Sequence, residues 1–152
     1  MEGTFNCNEL EGDDCKVFYS DTKTLHCQGF FRNGILEGQA TEYYKENNKI
    51  LYKGFYRDGK KHGEKSELYH KNGNIYYIGA FKNDVKHGKG EEFWENSNIK
   101  YSGEFFNDFY NGKVVLYQKN GALEFEGIFE NGMRNGFGKE YFPTEKKSSK
   151  LL

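Results

Sequence analysis

The chain is poor in the residues that mark several protein classes. It has one proline and three cysteines in 152 residues, and hydrophobic residues make up only 36% of it. Cys7, Cys15 and Cys27 cannot form a complete disulfide framework, and their spacing matches no common zinc-ligand pattern. No apolar run approaches the roughly 20 residues of a membrane-spanning helix. We therefore predict neither a disulfide scaffold nor a transmembrane protein, and we predict no metal and no cofactor.

The chain also lacks an excess of charge of either sign. Its 22 Lys and Arg residues balance 23 Asp and Glu residues, for a net charge of −1. A protein that binds nucleic acid usually carries a basic surplus, so we do not expect a nucleic-acid partner. No basic segment followed by an apolar run stands at the N-terminus, and three cysteines suit a reducing compartment. The length fits one domain, and we predict a cytoplasmic location.

What the chain does contain is aromatic residues, at 18%, and 19 glycines in a fixed frame. A pair of glycines nine residues apart recurs five times, with a period of 24 or 25 residues. A period in this range indicates a repeat array. We number each copy from its first glycine, which is position 0. The glycines at positions 0 and +9 are Gly29 and Gly38, Gly54 and Gly63, Gly79 and Gly88, Gly103 and Gly112, and Gly127 and Gly136.

The residues around position 0 alternate in the manner of a β-strand. Aliphatic residues stand at position −4, and aromatic residues stand at −2 and +2 in nearly every copy, as in Ile75, Tyr77 and Phe81. Alternate residues share one face of an extended strand. Positions +4 and +5 read Asn-Gly, Asp-Gly or Asn-Asp, which predicts a two-residue hairpin turn. Such a turn would place the two glycines of a copy opposite each other, in a slot that aromatic rings could cover.

A second strand and a second turn complete each copy, and the whole pattern resembles a known repeat. The order Tyr-x-Gly-x-aromatic, then Asn-Gly, then Gly-x-Gly is similar to the MORN repeat (membrane occupation and recognition nexus), most closely at residues 127–138. The longer period is similar to the MORN-like repeats of certain bacterial antitoxins. The resemblance implies an all-β fold: an elongated, twisted antiparallel sheet of stacked hairpins. It also implies protein binding along the rod, often near membranes or cytoskeleton, and the family is also credited with phospholipid binding.

The repeats suggest three segments. We expect a degenerate N-terminal capping repeat at residues 1–24, in which Gly3 and Gly12 keep the nine-residue spacing and Phe5 follows Gly3 by two. Five repeats follow at residues 25–143. A flexible basic tail is expected at residues 144–152.

Two adjacent residues, mostly aromatic, close the second strand of each copy. Neighbours on a strand point to opposite faces, so one of the two columns must be exposed unless the strand bulges. We hypothesise that the exposed column is a partner-binding stripe of Tyr44, Tyr69, Trp94 and Phe142. The alternative column is Tyr43, Leu68, Phe93, Tyr117 and Tyr141.

Charged residues suggest two further surfaces. Basic residues on the hairpin loops predict an edge that could meet anionic lipid weakly, and they are Lys60, Lys61, Lys86 and Arg134. A column of carboxylates at position +13 is expected to face solvent, and it comprises Glu42, Glu67, Glu92 and Glu140.

No group of ionisable residues stands outside the repeat frame. His62 and His87 share position +8 with Glu37 and Asn111, so they lack the uniqueness of catalytic residues. We therefore predict a non-catalytic scaffold that binds a partner protein, of identity and oligomeric state unknown. The alternatives are an antitoxin-like protein that sequesters one partner and a weak binder of anionic phospholipid.

Overall fold

The computed structural model describes residues 12–142, which form an all-β protein. Residues 1–11, with the predicted Gly3 and Phe5 of the cap, and the predicted tail at 144–152 lie outside the described residues. The strands are β1 (Gly12–Phe18), β2 (Leu25–Arg32), β3 (Ile35–Tyr43), β4 (Ile50–Arg57), β5 (Lys60–Tyr69), β6 (Ile75–Lys82), β7 (Val85–Phe93), β8 (Ile99–Phe106), β9 (Phe109–Tyr117), β10 (Leu123–Glu130) and β11 (Met133–Glu140).

The eleven strands make one sheet in sequence order. Each strand pairs antiparallel with the strand before it and the strand after it. Each copy of the repeat contributes one hairpin, and consecutive hairpins pair to extend the sheet. The predicted fold, an open twisted sheet of stacked hairpins, is confirmed.

The first turn of each copy has the predicted geometry. In the third copy Lys82 lies opposite Val85, so the turn holds two residues. Those residues, Asn83 and Asp84, have φ angles of 52° and 72°. Both central residues of the other four turns also have positive φ. This is the backbone of a primed turn, which Asn, Asp and Gly tolerate best.

The register beyond the turn differs from the prediction. Position 0 pairs with position +11 and not with position +9, as Gly79 opposite Gly90 illustrates. Phe81 pairs with Lys86, and Gly79 pairs with Gly90. The two pairs are therefore two residues apart on the first strand and four residues apart on the second strand. The two extra residues form a bulge that contains Gly88, whose φ is 93°. The glycine at +9 therefore serves the bulge, because its backbone conformation is one that other residues rarely adopt.

The second copy has a longer bulge than the others. Between Phe55–His62 and Lys53–Glu67 the second strand advances five residues, so the bulge holds three extra residues. The additional residue of this copy therefore lies in the bulge and not in its second turn. Every later residue of β5 is shifted by one position. Leu68 therefore aligns with Glu42 and Glu92, and Tyr69 aligns with Tyr43 and Phe93.

Aromatic rings on one face of the sheet explain the Tyr-x-Gly pattern. The ring of Tyr77 lies along its own strand, over Gly79, and its hydroxyl donates a hydrogen bond to the carbonyl oxygen of Ala80 at 2.9 Å. Tyr52 and Tyr101 make the same bond to the residue three positions ahead. A ring that covers a strand glycine compensates for the missing side chain. Position 0 must be glycine because the ring occupies the space of its Cβ.

Candidate functional site

The two faces of the sheet differ in what they bury. One face carries the side chains of positions −2, 0, +2, +7 and +13, and we call it the packed face. Its fully buried rings include Tyr52, Tyr77 and Tyr101. We call the other the open face. One aromatic residue per repeat points to the open face from the end of the second strand. This open-face column consists of Tyr43, Tyr69, Phe93, Tyr117 and Tyr141.

A buried ion pair lies at the middle of the packed face. The Nζ atom of Lys86 is 2.5 Å from Glu92 Oε1, and the two residues are 9% and 4% exposed. The hydroxyls of Tyr76 and Tyr110 both donate to the Glu92 carboxylate, at 3.2 and 2.7 Å. Lys100 lies 3.2 Å from the second carboxylate oxygen. The carboxylate thus joins strands β6 to β9.

Both members of this pair stay charged. Burial opposes the charge of Glu92, but its hydrogen bond and ion pair with Lys86 outweigh burial and hold the pKa of Glu92 below its ordinary value. Burial likewise opposes the charge of Lys86, and the hydrogen bond and attraction of Glu92 raise the pKa of Lys86 above its ordinary value. The Nζ atom of Lys86 also lies 4.8 Å from the ring centre of Tyr77, which favours the cation further.

The predicted basic edge is only partly exposed, and most of its cations pair with carboxylates. Lys86 is buried against Glu92, and Arg134 pairs with Glu140. Lys61 lies 2.8 Å from Glu42, while Lys60 is exposed. The reason is that positions +7 and +13 face each other on the packed face.

The predicted solvent-facing column of carboxylates is also corrected. Glu92 is buried, and Glu67 leaves the column because of the longer bulge in the second copy.

A column at the second turns ties each repeat to the next. The hydroxyl of Tyr44 donates to the carbonyl oxygen of Tyr69 at 2.6 Å, and the indole N–H of Trp94 donates to that of Tyr117 at 3.2 Å. His70 Nε2 hydrogen-bonds the carbonyl oxygen of Phe93 at 3.0 Å. Tyr44, His70 and Trp94 form this turn-edge column, and all three are half-buried.

The four residues of the predicted stripe are therefore not brought together. Tyr44 and Trp94 belong to the turn-edge column. Tyr69 belongs to the open-face column, because the second copy is one residue longer before it. Phe142 follows the last strand and is 80% exposed.

A ladder of asparagines at the second turns was not anticipated. The side-chain amides of Asn47, Asn72 and Asn96 donate to backbone carbonyl oxygens of the following repeat, at 2.8, 3.1 and 2.8 Å. The side-chain oxygen of each also accepts a bond from the backbone N–H two residues on. The signal was in the sequence, since an asparagine begins the second turn of each of these copies.

The open face carries shallow depressions beside its aromatic column. One of about 790 Å³ lies at the Gly127–Gly138 pair, between Ile128 and Phe137. Two more, of about 510 and 460 Å³, lie near Gly29 and Gly103. The wall of the first depression, with Ile128 and Phe137 beside the backbone, suits an extended segment of another protein.

Two further kinds of site are not seen between residues 12 and 142. No group of three His, Cys, Asp or Glu side chains there is placed to hold a metal ion. In the same part of the chain, no helix is long and apolar enough to cross a membrane.

Comparison with known proteins identifies the repeat. The family model for the MORN repeat matches residues 27–49, 52–64, 77–99, 101–122 and 125–145, which together make up more than half of the chain. The second match is the shortest and ends at the bulge where the second copy has its additional residue. No curated protein matches the chain significantly. The family implies a repeat protein with a binding or scaffold role and is generally not enzymatic. The chain belongs to the MORN repeat family.

Proposed function

We propose that the protein is a non-catalytic interaction module that binds a partner protein across its open face. The observation that carries this proposal is the open-face column, which presents one aromatic ring per repeat on a face that nothing in residues 12–142 packs against. Aromatic residues are enriched in protein interfaces and often dominate their binding energy. The packed face is a weaker candidate along most of its length, because its rings already pack against one another.

The spacing of the rings suggests the shape of the partner segment. Successive rings stand two strands apart, which is about 9.6 Å for strands separated by ~4.8 Å. A polyproline-II segment rises about 3.1 Å per residue, so every third side chain recurs at about 9.3 Å. An extended segment with an apolar residue at every third position therefore matches the column.

The setting of this interaction is proposed from the family and from the location predicted from the sequence. We place the protein in the cytoplasm, near membrane or cytoskeleton, as a scaffold. Anionic lipid is a poorer ligand than a protein, because three of the four cations assigned to it pair with carboxylates. An antitoxin-like role would use the same open face to sequester a single partner.

Photo-crosslinking at two adjacent residues tests this proposal. Phe93 lies in the open-face column, and its neighbour Trp94 lies in the turn-edge column. The photoreactive residue p-benzoylphenylalanine is placed at 93 or at 94 in the full chain, which is then irradiated in cells of origin. We expect a discrete crosslinked protein from position 93 and little or none from position 94. Crosslinking from 94 alone, or from neither position, would reject the open face.

The number of crosslinked proteins separates the two roles. Several partners at position 93 support the scaffold. A single toxin-like partner supports sequestration.

A further inference from the structure

The aromatic packing of the packed face is interrupted at its N-terminal end. In the third and fourth copies, the ring at position +2 contacts the position −2 ring of its own copy and that of the copy before. Phe81 lies 5.4 Å from Tyr77 and 5.6 Å from Tyr52, and Phe105 lies 4.8 Å from Tyr101 and 5.3 Å from Tyr77. Tyr56 has its own-copy ring, Tyr52, at 5.3 Å. The preceding copy has Cys27 at this position, which supplies no ring.

A depression of about 440 Å³ lies beside Cys27, where that ring is missing. Its apolar wall comes from strands β1, β2 and β3, through Val17, Phe31 and Leu36. Glu42 and Tyr56 line the opposite side. The depression is therefore large enough to receive one aromatic side chain.

The depression also holds an unsatisfied polar group. Tyr56 is 2% exposed, and its buried hydroxyl makes no hydrogen bond of normal geometry among the described residues, although the Glu42 carboxylate lies close to it. Buried hydroxyls nearly always have a partner, so one without a partner calls for an explanation. Burial, with a smaller effect of the Glu42 carboxylate, raises the pKa of Tyr56. The hydroxyl therefore stays neutral and can donate to or accept from a ligand.

We propose that this depression is a binding site for a tyrosine side chain of a partner protein. The phenol ring would occupy the place that Tyr52 and Tyr77 fill in later copies, and its hydroxyl would bond the hydroxyl of Tyr56. This second contact rests on the proposed function only in assuming a protein partner. It lies on the packed face, away from the open-face column.

Titration of the full chain with p-cresol and with toluene tests the site directly. The two molecules differ by one hydroxyl, and NMR shifts of residues around Tyr56 report their binding. We expect saturable binding of p-cresol, several-fold tighter than that of toluene. Tyr56→Phe should remove this preference while toluene still binds.

Variants at position 27 provide the matched control. Cys27→Tyr should abolish p-cresol binding and raise the melting temperature, because the new ring fills the depression as Tyr52 fills its own site. In the fourth copy the ring of Tyr101 lies over Gly103, although the residue opposite that glycine is Val114. In the first copy the residue opposite Gly29 is Ala40, which is smaller than valine, so a tyrosine ring at position 27 has room. Cys27→Ala should retain p-cresol binding.

Several results would overturn the site. They are the absence of saturable p-cresol binding, equal affinity for the two probes, or p-cresol binding that survives in a folded Cys27→Tyr protein. None of these measurements involves the open face. Loss of crosslinking at Phe93 with p-cresol binding intact would therefore reject the proposed function and leave this site standing.

Discussion

Gly79→Val is expected to destabilise the protein by about 3 kcal/mol, from overpacking and the loss of one hydrogen bond. A Cβ atom at Gly79 would lie 2.6 Å from Tyr77 Cζ and 2.7 Å from Gly90 Cα. Valine must therefore displace the Tyr77 ring, which breaks the bond to the Ala80 carbonyl and the ring contacts on either side. Urea unfolding followed by circular dichroism measures the change.

The control for this substitution is Gly73→Ala. Gly73 lies in a second turn with a φ of 98°, and a Cβ there would approach only the side chain of Lys49, at 3.6 Å. It should cost about 1 kcal/mol, from backbone strain alone. Equal stabilities of wild type and Gly79→Val would refute the covered glycine pair.

Glu92→Leu is expected to cost about 3–5 kcal/mol, because removing one partner of a buried ion pair leaves the other charge uncompensated. Lys86 would lose its anion, and the hydroxyls of Tyr76 and Tyr110 would lose an acceptor. The free energy of unfolding at neutral pH, from urea denaturation, measures the loss.

The repeat itself supplies the control for this substitution. Leucine already stands at the corresponding positions, as Leu36 in place of Lys86 and as Leu68 and Leu116 in place of Glu92. The double variant Lys86→Leu/Glu92→Leu should therefore recover most of the lost stability. Replacing a buried ion pair by apolar residues of similar volume is often neutral or stabilising. If the loss of stability in the double variant equals the sum of the losses in Lys86→Leu and Glu92→Leu, the result would contradict the pairing.

The fold was predictable because its signals are local and repeated. The turn residues at +4 and +5 fix a primed turn through their own φ preferences, as at Asn83 and Asp84. The aromatic residues at −2 and +2 mark one strand face by alternation. Five copies of one pattern then specify one hairpin each.

The register was not predictable from the same signals. Gly88 was read as a partner of Gly79 because both are invariant in the frame, yet a bulge glycine and a covered strand glycine look the same in a sequence. The length of a bulge is decided by packing across the hairpin, as the third extra residue before Ser66 illustrates. Because of that single residue, Tyr69 lies in the open-face column and not with Tyr44 and Trp94 in the turn-edge column. The predicted stripe therefore does not form.

The partners of the charged residues were also beyond sequence reasoning. Lysine in a loop-proximal position is usually solvated, and Lys86 was expected to be. It is buried because the rings of Tyr77 and Phe105 flank its ammonium group and Glu92 lies opposite, on the same face. Those neighbours come from positions −2, +2 and +13 of two copies, and only the observed register brings them together.

The contacts across each hairpin depend on the pairing of position 0 with position +11. NMR spectroscopy of the wild-type protein tests that pairing most directly, through nuclear Overhauser effects between glycine backbone protons. We predict a cross-strand effect between Gly79 and Gly90, with the α-protons of both shifted upfield by the Tyr77 ring above them. A cross-strand effect between Gly79 and Gly88 in its place would contradict the account, because it would restore a hairpin without a bulge and put Gly90, not Glu92, opposite Tyr77.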